Sequence, residues 1–220
     1  GKITAYIATL LPQGSVLGID NSLDMIRFAQ SRFPQSAWPN LSFLYGDARD
    51  LHYLDEFDLV VSFATLHWIL DHRPVLEGIK RSLKPGGRLF AQFGGRGNAG
   101  EFFRIVDKRI AEGSWAQYFR DFSFPYGFFA AEEYKDWLNQ AGLKAKRVEL
   151  MEKDMVQPDR QGLASWMEST WLPYLERIPG DLRSAFISEM VEGYTKAHPP
   201  DRDGRIHLGM IRLEVEAEKA

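Results

Sequence analysis

The chain has 220 residues, of which 45% are hydrophobic and 26% charged, and its formal net charge at pH 7 is -3. This length suits one globular domain with a small additional lobe, and the charge argues against broad nucleic-acid binding. Cysteine is absent, which excludes disulfides, a thiolate zinc site and a cysteine nucleophile. No apolar run is long enough for a transmembrane helix or a secretory signal, so we expect a cytoplasmic protein.

Strand and helix patterns alternate through the first half of the chain. Short apolar runs end at acidic or glycine residues, as buried parallel strands do, and helix or turn patterns separate them. Strands are predicted over residues 16–19, 41–45, 57–63 and 88–93, and helices over residues 3–11, 23–32 and 71–83, with a turn at residues 84–87. This alternation predicts a doubly wound α/β fold with a parallel sheet.

Helical and aromatic patterns dominate the second half. Residues 115–129 are irregular and rich in aromatic side chains. Strand-like alternation is seen at residues 144–153 and 206–218, and helices are predicted at residues 99–112, 131–141 and 159–198, the last broken at Pro173 and Pro179. The pattern contains no repeat and indicates one continuous domain.

Acidic residues follow the first two predicted strands. Asp20 ends the first, where a carboxylate can accept hydrogen bonds from both hydroxyls of an adenosine ribose. Asp47 follows the second, where its carboxylate could accept the amine of adenine and Ala48 could present its backbone amide. Each acid alone is equally well explained as a cap or turn residue. Both acids together, with the turn at residues 84–87, predict a cofactor at the carboxyl edge of the sheet.

The order of these segments resembles the class I S-adenosylmethionine-dependent methyltransferases. The matching segments are residues 18–22 with Met25, residues 46–48, residues 57–62 and residues 83–89. The second half is similar to the trans-aconitate methyltransferase subgroup, and this likeness rests on His67-Trp68, Asp71-His72, Trp166, Thr170, Pro173-Tyr174-Leu175, Asp203-Gly204-Arg205 and Arg212. Together the two likenesses cover nearly the whole chain.

This resemblance implies a cofactor, S-adenosylmethionine, and a division of the single domain over residues 1–220. Residues 1–95 would bind the cofactor, residues 96–130 and 159–200 would form a helical and aromatic lid over the substrate pocket, and the last strand would be antiparallel. The implied cofactor-binding residues are Asp20 for the ribose, Asp47 and Ala48 for the adenine, Asn21 and Met25 beside the adenine, Phe63 and Ala64 near the methionine end, and Gly1.

The family's first strand and glycine-rich loop have no counterpart, because the sequence opens at Gly1 and runs directly into a helix pattern. We therefore expect these residues to be a piece of a longer chain. The missing strand would lie in the middle of the sheet, and its absence would leave two strand edges unpaired. Gly1 is then the only residue of the glycine loop that is expected at the cofactor.

Methyl transfer requires alignment of the reactants more than acid–base chemistry, because a carboxylate acceptor is already ionised at neutral pH. We expect no catalytic acid or base and no metal. The candidate acceptor-binding residues are His67, Trp68, Arg96, Trp171, Tyr194, Arg205 and Arg212, with Trp68 favoured. Departures from the subgroup at Trp171-Leu172 and Gly209, and the aromatic run, favour an acid that is bulkier and more apolar than trans-aconitate.

Two other functions fit part of the sequence. Asp20 would equally suit a nicotinamide-dependent Rossmann oxidoreductase, although Tyr134-Lys135 lacks the Tyr-x-x-x-Lys spacing that many of these enzymes carry. A non-catalytic protein of methyltransferase fold is the third hypothesis. The leading hypothesis predicts a small-molecule methyl acceptor as partner and neither nucleic acid nor membrane. It also predicts a monomer, with a weak dimer as the alternative.

Overall fold

The computed structural model describes residues 1–220, and its strands form two sheets. The first sheet pairs β1 (Val16–Asp20) with β2 (Leu41–Tyr45) in parallel. The second has the order β3-β4-β6-β5 and consists of β3 (Phe57–Phe63), β4 (Leu83–Gly94), β5 (Leu143–Gln157) and β6 (Ile206–Lys219). β3 and β4 are parallel, whereas β6 is antiparallel to both of its neighbours. The predicted α/β class and the antiparallel final strand are confirmed.

Eight α-helices connect and cover these strands. They are α1 (Lys2–Leu10), α2 (Leu23–Arg32), α3 (Arg73–Ser82), α4 (Gly100–Ala111), α5 (Ala131–Gln140), α6 (Arg160–Thr170), α7 (Leu172–Leu175) and α8 (Arg183–Ala197). Three short 3₁₀ segments lie at Leu66–Trp68, Gly113–Tyr118 and Gly180–Leu182. No helix has the length and apolar character needed to cross a membrane.

Three predicted boundaries differ from the structure for identifiable reasons. α3 begins at Arg73 rather than at residue 71, because the Asp71 carboxylate accepts the Arg73 N–H before the helix starts. The turn predicted at residues 84–87 lies inside β4, because Leu83 already pairs with Phe57 and the register then shifts. β5 extends to Gln157 because its ladder with β6 continues to Ile206.

The sheet is interrupted between β1 and β3. β1 pairs only with β2, and β3 pairs only with β4, so each of them has an edge without a ladder partner. Leu59 and Val61 of β3 are accordingly exposed, although side chains of a central strand are normally buried. These unpaired edges agree with the expectation from the sequence. That a further strand lies between them stays a prediction.

The buried side chains form three clusters. The largest, which we call the lid core, has 20 members that come mainly from α4, α6, α7 and α8. A second cluster of 15 packs α3 and α5 against β4 and β6. The third has only six members, Ala5, Ala8, Ile26, Ala29, Leu41 and Phe43, and holds α1 and α2 against the first sheet. Of the members of the lid core, 18 lie within residues 96–130 and 159–200, and Ile206 and Leu208 lie in β6. That these stretches form a lid over a substrate stays a prediction.

Candidate active site

Asp20 and Asp47 lie at the same edge of the first sheet. β1 and β2 are parallel and in register, with Asp20 opposite Tyr45. The Gly46 N–H donates to the Asp20 carbonyl at 3.1 Å, which brings the residues after β2 beside the end of β1. Two carboxylates therefore stand at the carboxyl edge, the position where α/β sheets bind ligands.

One oxygen of the Asp20 carboxylate is hydrogen-bonded within the turn that follows β1. Oδ1 accepts the Ser22 N–H at 2.8 Å, while the Ser22 hydroxyl caps α2 by accepting the Met25 N–H at 3.3 Å. Oδ2 has no protein partner, and the side chain is exposed. Asn21 and Met25 are exposed on the same turn. This leaves one carboxylate oxygen of Asp20 open to a hydroxyl donor such as a ribose.

Arg49 binds the Asp47 carboxylate. Oδ1 accepts the Arg49 N–H at 2.8 Å, and Oδ2 accepts Nη2 at 2.5 Å. These hydrogen bonds hold the pKa of Asp47 below its usual range, so the group is an anionic acceptor at neutral pH. An exposed pair of this kind is only weakly stabilising, and each carboxylate oxygen can accept a further bond. The residue can therefore also accept an amine, next to the half-buried Ala48.

The end of β3 makes a sharp turn beside β4. Ala64 has a left-handed backbone with φ 53, and its N–H donates to the Gln92 carbonyl at 2.8 Å. The Thr65 hydroxyl donates to the Phe63 carbonyl at 3.1 Å. A non-glycine residue in this region carries strain of about 1 kcal/mol, and such strain concentrates at functional edges. Gly1, the last predicted cofactor residue, packs against Ala29 and Phe43 at the start of α1.

His67 and Trp68 lie on the 3₁₀ turn that follows β3. The Gly94 N–H at the end of β4 donates to His67 Nδ1 at 3.3 Å. Burial lowers the pKa of His67 to about 4, so the ring is neutral at pH 7. Since Nδ1 accepts a hydrogen bond, the ring proton is on Nε2, which has no protein partner. His67 thus presents one neutral N–H donor.

Four aromatic rings, which we call the aromatic wall, lie at this donor and include the His67 ring itself. They are His67, Trp68, Tyr126 and Phe128. Tyr126 and Phe128 stack with ring centroids 5.5 Å apart, and Trp68 meets Tyr126 edge-on at 5.3 Å. Trp68 is 41% exposed, whereas the other five tryptophans are buried or half-buried. Its open face can pack against a flat apolar ligand.

The predicted acceptor-binding arginines are each paired with a carboxylate. Arg96 binds Glu133 at 3.0 Å, and Arg205 lies 3.9 Å from Asp203 in an exposed turn. Arg212 stands opposite Gly94 in the sheet, but its guanidinium binds Glu214. The structure therefore does not assemble these arginines into a common anion site.

The remaining two predicted residues lie in the lid core. Trp171 is 2% exposed and stacks on Phe103 with centroids 4.7 Å apart. Tyr194 is buried, and its hydroxyl donates to the His207 carbonyl at 2.7 Å. Both residues are buried in the lid core, and packing explains their positions. Their roles in substrate binding stay predictions without direct structural support.

Some residues at the site carry no signal in the sequence. The sequence does not indicate that Arg49 binds the Asp47 carboxylate or that the Gly94 N–H donates to the His67 ring. The second contact joins residues that are 27 positions apart in the chain. Tyr126 and Phe128 were noted only as part of an aromatic run. A depression of about 430 Å³ between α6, α7 and α8 contains none of the predicted residues.

The half-buried His67 makes stability sensitive to acid. The pKa of His67 is about 4 in the folded chain against 6.5 unfolded, so its contribution is complete above pH 6.5 and is lost as the pH falls toward 4. We expect the free energy of unfolding to drop by about 2–3 kcal/mol from this residue between about pH 7.5 and about pH 4.5. Urea unfolding of the wild type and of His67→Gln measures it. The substitution should remove that part of the drop, and an equal pH dependence in both proteins would contradict it.

The turn that carries His67 is packed tightly against the aromatic segment. The Gly127 N–H donates to the His67 carbonyl at 2.8 Å, and a Cβ on Gly127 would lie 2.2 Å from the Ile69 carbonyl oxygen. We expect Gly127→Ala to lower the free energy of unfolding by about 3 kcal/mol because backbone must move. Gly100→Ala is the control, since nothing lies within 4 Å of that position. Urea denaturation compares them, and equal midpoints would refute the packing argument.

Comparisons with known proteins place this arrangement in a family. Residues 1–91 match the sequence profile described as "Methyltransferase domain". A trans-aconitate 2-methyltransferase of Azoarcus sp. is 30% identical over 220 residues, which cover 99% of this chain and 83% of that protein. The chain belongs to the class I S-adenosylmethionine-dependent methyltransferases.

Solved structures agree with this family fold. An S-adenosylmethionine-dependent methyltransferase from Methanosarcina mazei superposes with a TM-score of 0.56 and 18% identity, covering 100% of this chain and 87% of that one. An N-methyltransferase of Haemonchus contortus in complex with S-adenosylhomocysteine gives a TM-score of 0.53 and 18% identity, covering 94% and 44%. The chain is a methyltransferase enzyme, and its cofactor is S-adenosylmethionine, which fits the open oxygen of Asp20 and the anionic Asp47.

Proposed function

We propose that this methyltransferase acts on a small organic acid and methylates a carboxylate oxygen at the aromatic wall. The observation that carries the proposal is the state of His67, which is a neutral ring with a single unpartnered N–H beside the ends of β3 and β4. Such a donor can bind and orient one oxygen of an anion. The neighbouring open face of Trp68 suits the apolar remainder of the molecule.

The chain's residues would hold the cofactor at the adjoining strand ends. Asp20 accepts the ribose hydroxyls, Asp47 with Ala48 holds the adenine between Asn21 and Met25, and the backbone at Phe63 and Ala64 faces the methionine end. Gly1 belongs to the same region at the start of α1. When bound, S-adenosylmethionine supplies an electrophilic methyl group on a good leaving group, so positioning is the main task of the protein.

The nucleophile must arrive already ionised. Nδ1 of His67 accepts the Gly94 N–H, and the low pKa makes the ring a poor base. The Tyr126 hydroxyl donates to the Thr170 carbonyl, and burial raises its pKa, so it also remains protonated. A carboxylate needs no deprotonation at neutral pH, whereas an alcohol does. These residues therefore favour an acid over an alcohol.

The charges around the site favour an acid with one carboxylate on an apolar body. Arg96 and Arg212 are already paired with glutamates, and Glu214 is bound a second time by Arg147 at 2.5 Å. A tricarboxylate such as trans-aconitate requires several cationic partners to offset its desolvation. The aromatic wall offers stacking area and one donor instead. We therefore expect a flat, hydrophobic monocarboxylate to be the better acceptor.

The test separates cofactor binding from acceptor choice. Calorimetric titration with S-adenosylhomocysteine comes first, with NADH as the comparison ligand for the oxidoreductase alternative. Methyl transfer is then followed by mass spectrometry with cinnamate, trans-aconitate and cinnamyl alcohol, the last having the same body as cinnamate without an ionised group. We expect cofactor binding, no response to NADH, and a methyl ester of cinnamate. Faster methylation of the alcohol, or of trans-aconitate, would overturn the acceptor proposal while leaving the cofactor result intact.

A further inference from the structure

His72 is a buried titratable residue that the proposed chemistry does not use. It precedes α3 and has no exposed surface. Its ring packs against Phe129 at a centroid distance of 4.7 Å, against Phe93 at 5.3 Å and against Tyr134 at 5.6 Å. Desolvation in this apolar cage lowers its pKa, so the imidazole is neutral. A neutral buried histidine has one donor and one acceptor nitrogen, and both require partners.

The partners of His72 determine its tautomer. Nε2 lies 2.7 Å from the Leu66 carbonyl oxygen and 3.0 Å from the Ile69 carbonyl oxygen. Because carbonyl oxygens only accept, Nε2 carries the proton and donates to them. Nδ1 lies 3.2 Å from the Tyr134 hydroxyl, which therefore donates to it. Tyr134 is itself fully buried, so this chain of hydrogen bonds is shielded from water.

The two carbonyls held by His72 bracket the acceptor-facing turn. Leu66 immediately precedes His67, and Ile69 immediately follows Trp68. From the opposite side, the Gly127 N–H donates to the His67 carbonyl and the Gly94 N–H donates to its ring. His72 thus holds the turn on the side of the second core cluster. The aromatic segment and β4 hold the same turn from the other side.

We propose that His72 and Tyr134 are positioning residues for the acceptor site. The Tyr134 hydroxyl donates to Nδ1 and holds the His72 ring in place, and the His72 Nε2–H then holds the Leu66 and Ile69 carbonyls so that the His67 donor and the Trp68 ring keep their orientation. The role in acceptor binding rests on the proposed function. The relay itself, from Tyr134 through His72 to the turn, is a property of the chain that can be measured without any acceptor.

Nuclear magnetic resonance of the full chain tests the relay directly. Long-range ¹H–¹⁵N spectra should show His72 as the Nε2–H tautomer. The ¹⁹F resonance of 5-fluorotryptophan at position 68, assigned by its loss in Trp68→Phe, reports on the surroundings of Trp68. Tyr134→Phe keeps the core ring and removes only the hydroxyl, so the His72 Nδ1 resonance should shift as that nitrogen loses its donor, and the Trp68 resonance should shift or broaden. An Nδ1–H tautomer in the wild type, or unchanged His72 and Trp68 signals in Tyr134→Phe, would overturn the proposal.

A second pair of variants separates positioning from plain core stability. Ser82→Ala is the matched control, because the buried Ser82 hydroxyl donates to the Gly78 carbonyl at 2.7 Å within α3, away from the turn. His72→Phe and Ser82→Ala should both lower stability, but only His72→Phe should move the Trp68 resonance and raise the KM for cinnamate about tenfold. Binding of S-adenosylhomocysteine should change less than about twofold in both.

Each outcome of this comparison is decisive. Equal effects of the two variants on the Trp68 resonance would mean that His72 serves only the core. If cinnamate is not a substrate, the proposed function fails on that count, and the resonance and tautomer measurements still decide the relay. If His72→Phe does not fold, the Tyr134→Phe spectra decide it alone.

Discussion

Replacing Asp20 with alanine is expected to weaken S-adenosylhomocysteine binding by about 100-fold, because hydrogen bonds from hydroxyls to a carboxylate contribute about 1.5–3 kcal/mol each. The open Oδ2 at the end of β1 is the acceptor that the substitution removes. Asp20→Asn keeps the shape with one acceptor oxygen and should lose about tenfold. Isothermal titration calorimetry of the purified variants measures both changes.

The control for this prediction is an acid on the same stretch of chain. Asp24 lies four residues further on, on α2, where it is almost fully exposed and 3.7 Å from Arg27. Asp24→Ala should leave the dissociation constant within about twofold of the wild type. Since Asp20 also accepts the Ser22 N–H, melting of each variant without ligand shows whether the turn is intact. A folded Asp20→Ala protein that binds as well as Asp24→Ala would contradict the ribose assignment.

Trp68→Ala is expected to lower kcat/KM for cinnamate by about 100-fold, mostly through KM, because the aromatic wall loses its one open ring. Trp68→Phe retains a smaller ring and should lose about tenfold. Steady-state kinetics with the methyl ester as product measures the series. The affinity for S-adenosylhomocysteine should stay within about twofold, since we propose that Trp68 contacts the acceptor and not the cofactor.

An exposed aromatic residue outside the aromatic wall provides the comparison. Phe28 on α2 is exposed and belongs to none of the aromatic pairs around His67. Phe28→Ala should leave kcat/KM for cinnamate unchanged. A loss in Trp68→Ala that is matched by Phe28→Ala would indicate a general effect of removing surface rings, and a loss confined to the affinity for S-adenosylhomocysteine would place Trp68 at the cofactor instead.

The parts of the fold that local sequence determines were predictable. β2 and β3 have the predicted bounds because short apolar runs between glycine and polar residues define them. The start of α3 was not predictable, because it depends on a hydrogen bond from the Arg73 backbone to Asp71 and on the inward turn of His72. The length of β5 depends on its ladder with β6, in which the last residue, Gln157, pairs with Ile206, 49 positions later.

The same distinction holds within the site. Asp20 and Asp47 could be placed from sequence because the ends of parallel strands meet at one edge. The pairing of Arg96 could not be predicted, because its partner Glu133 lies 37 residues further along the chain. His72 was visible only as part of a short motif. Its contact with Tyr134 spans 62 residues and depends on how α3 and α5 pack.

The small third cluster has a consequence for how the enzyme responds to its cofactor. Six buried residues, three of them alanine, hold α1 and α2 against a sheet that shares no ladder with the rest of the molecule. Local unfolding begins where burial is least, so this segment should open at a lower free energy than the lid. A ligand at 100 times its dissociation constant raises the free energy of unfolding of the segment that binds it by about 2.7 kcal/mol. With Asp20 and Asp47 in this segment, cofactor supply would then govern how long the enzyme survives proteolysis.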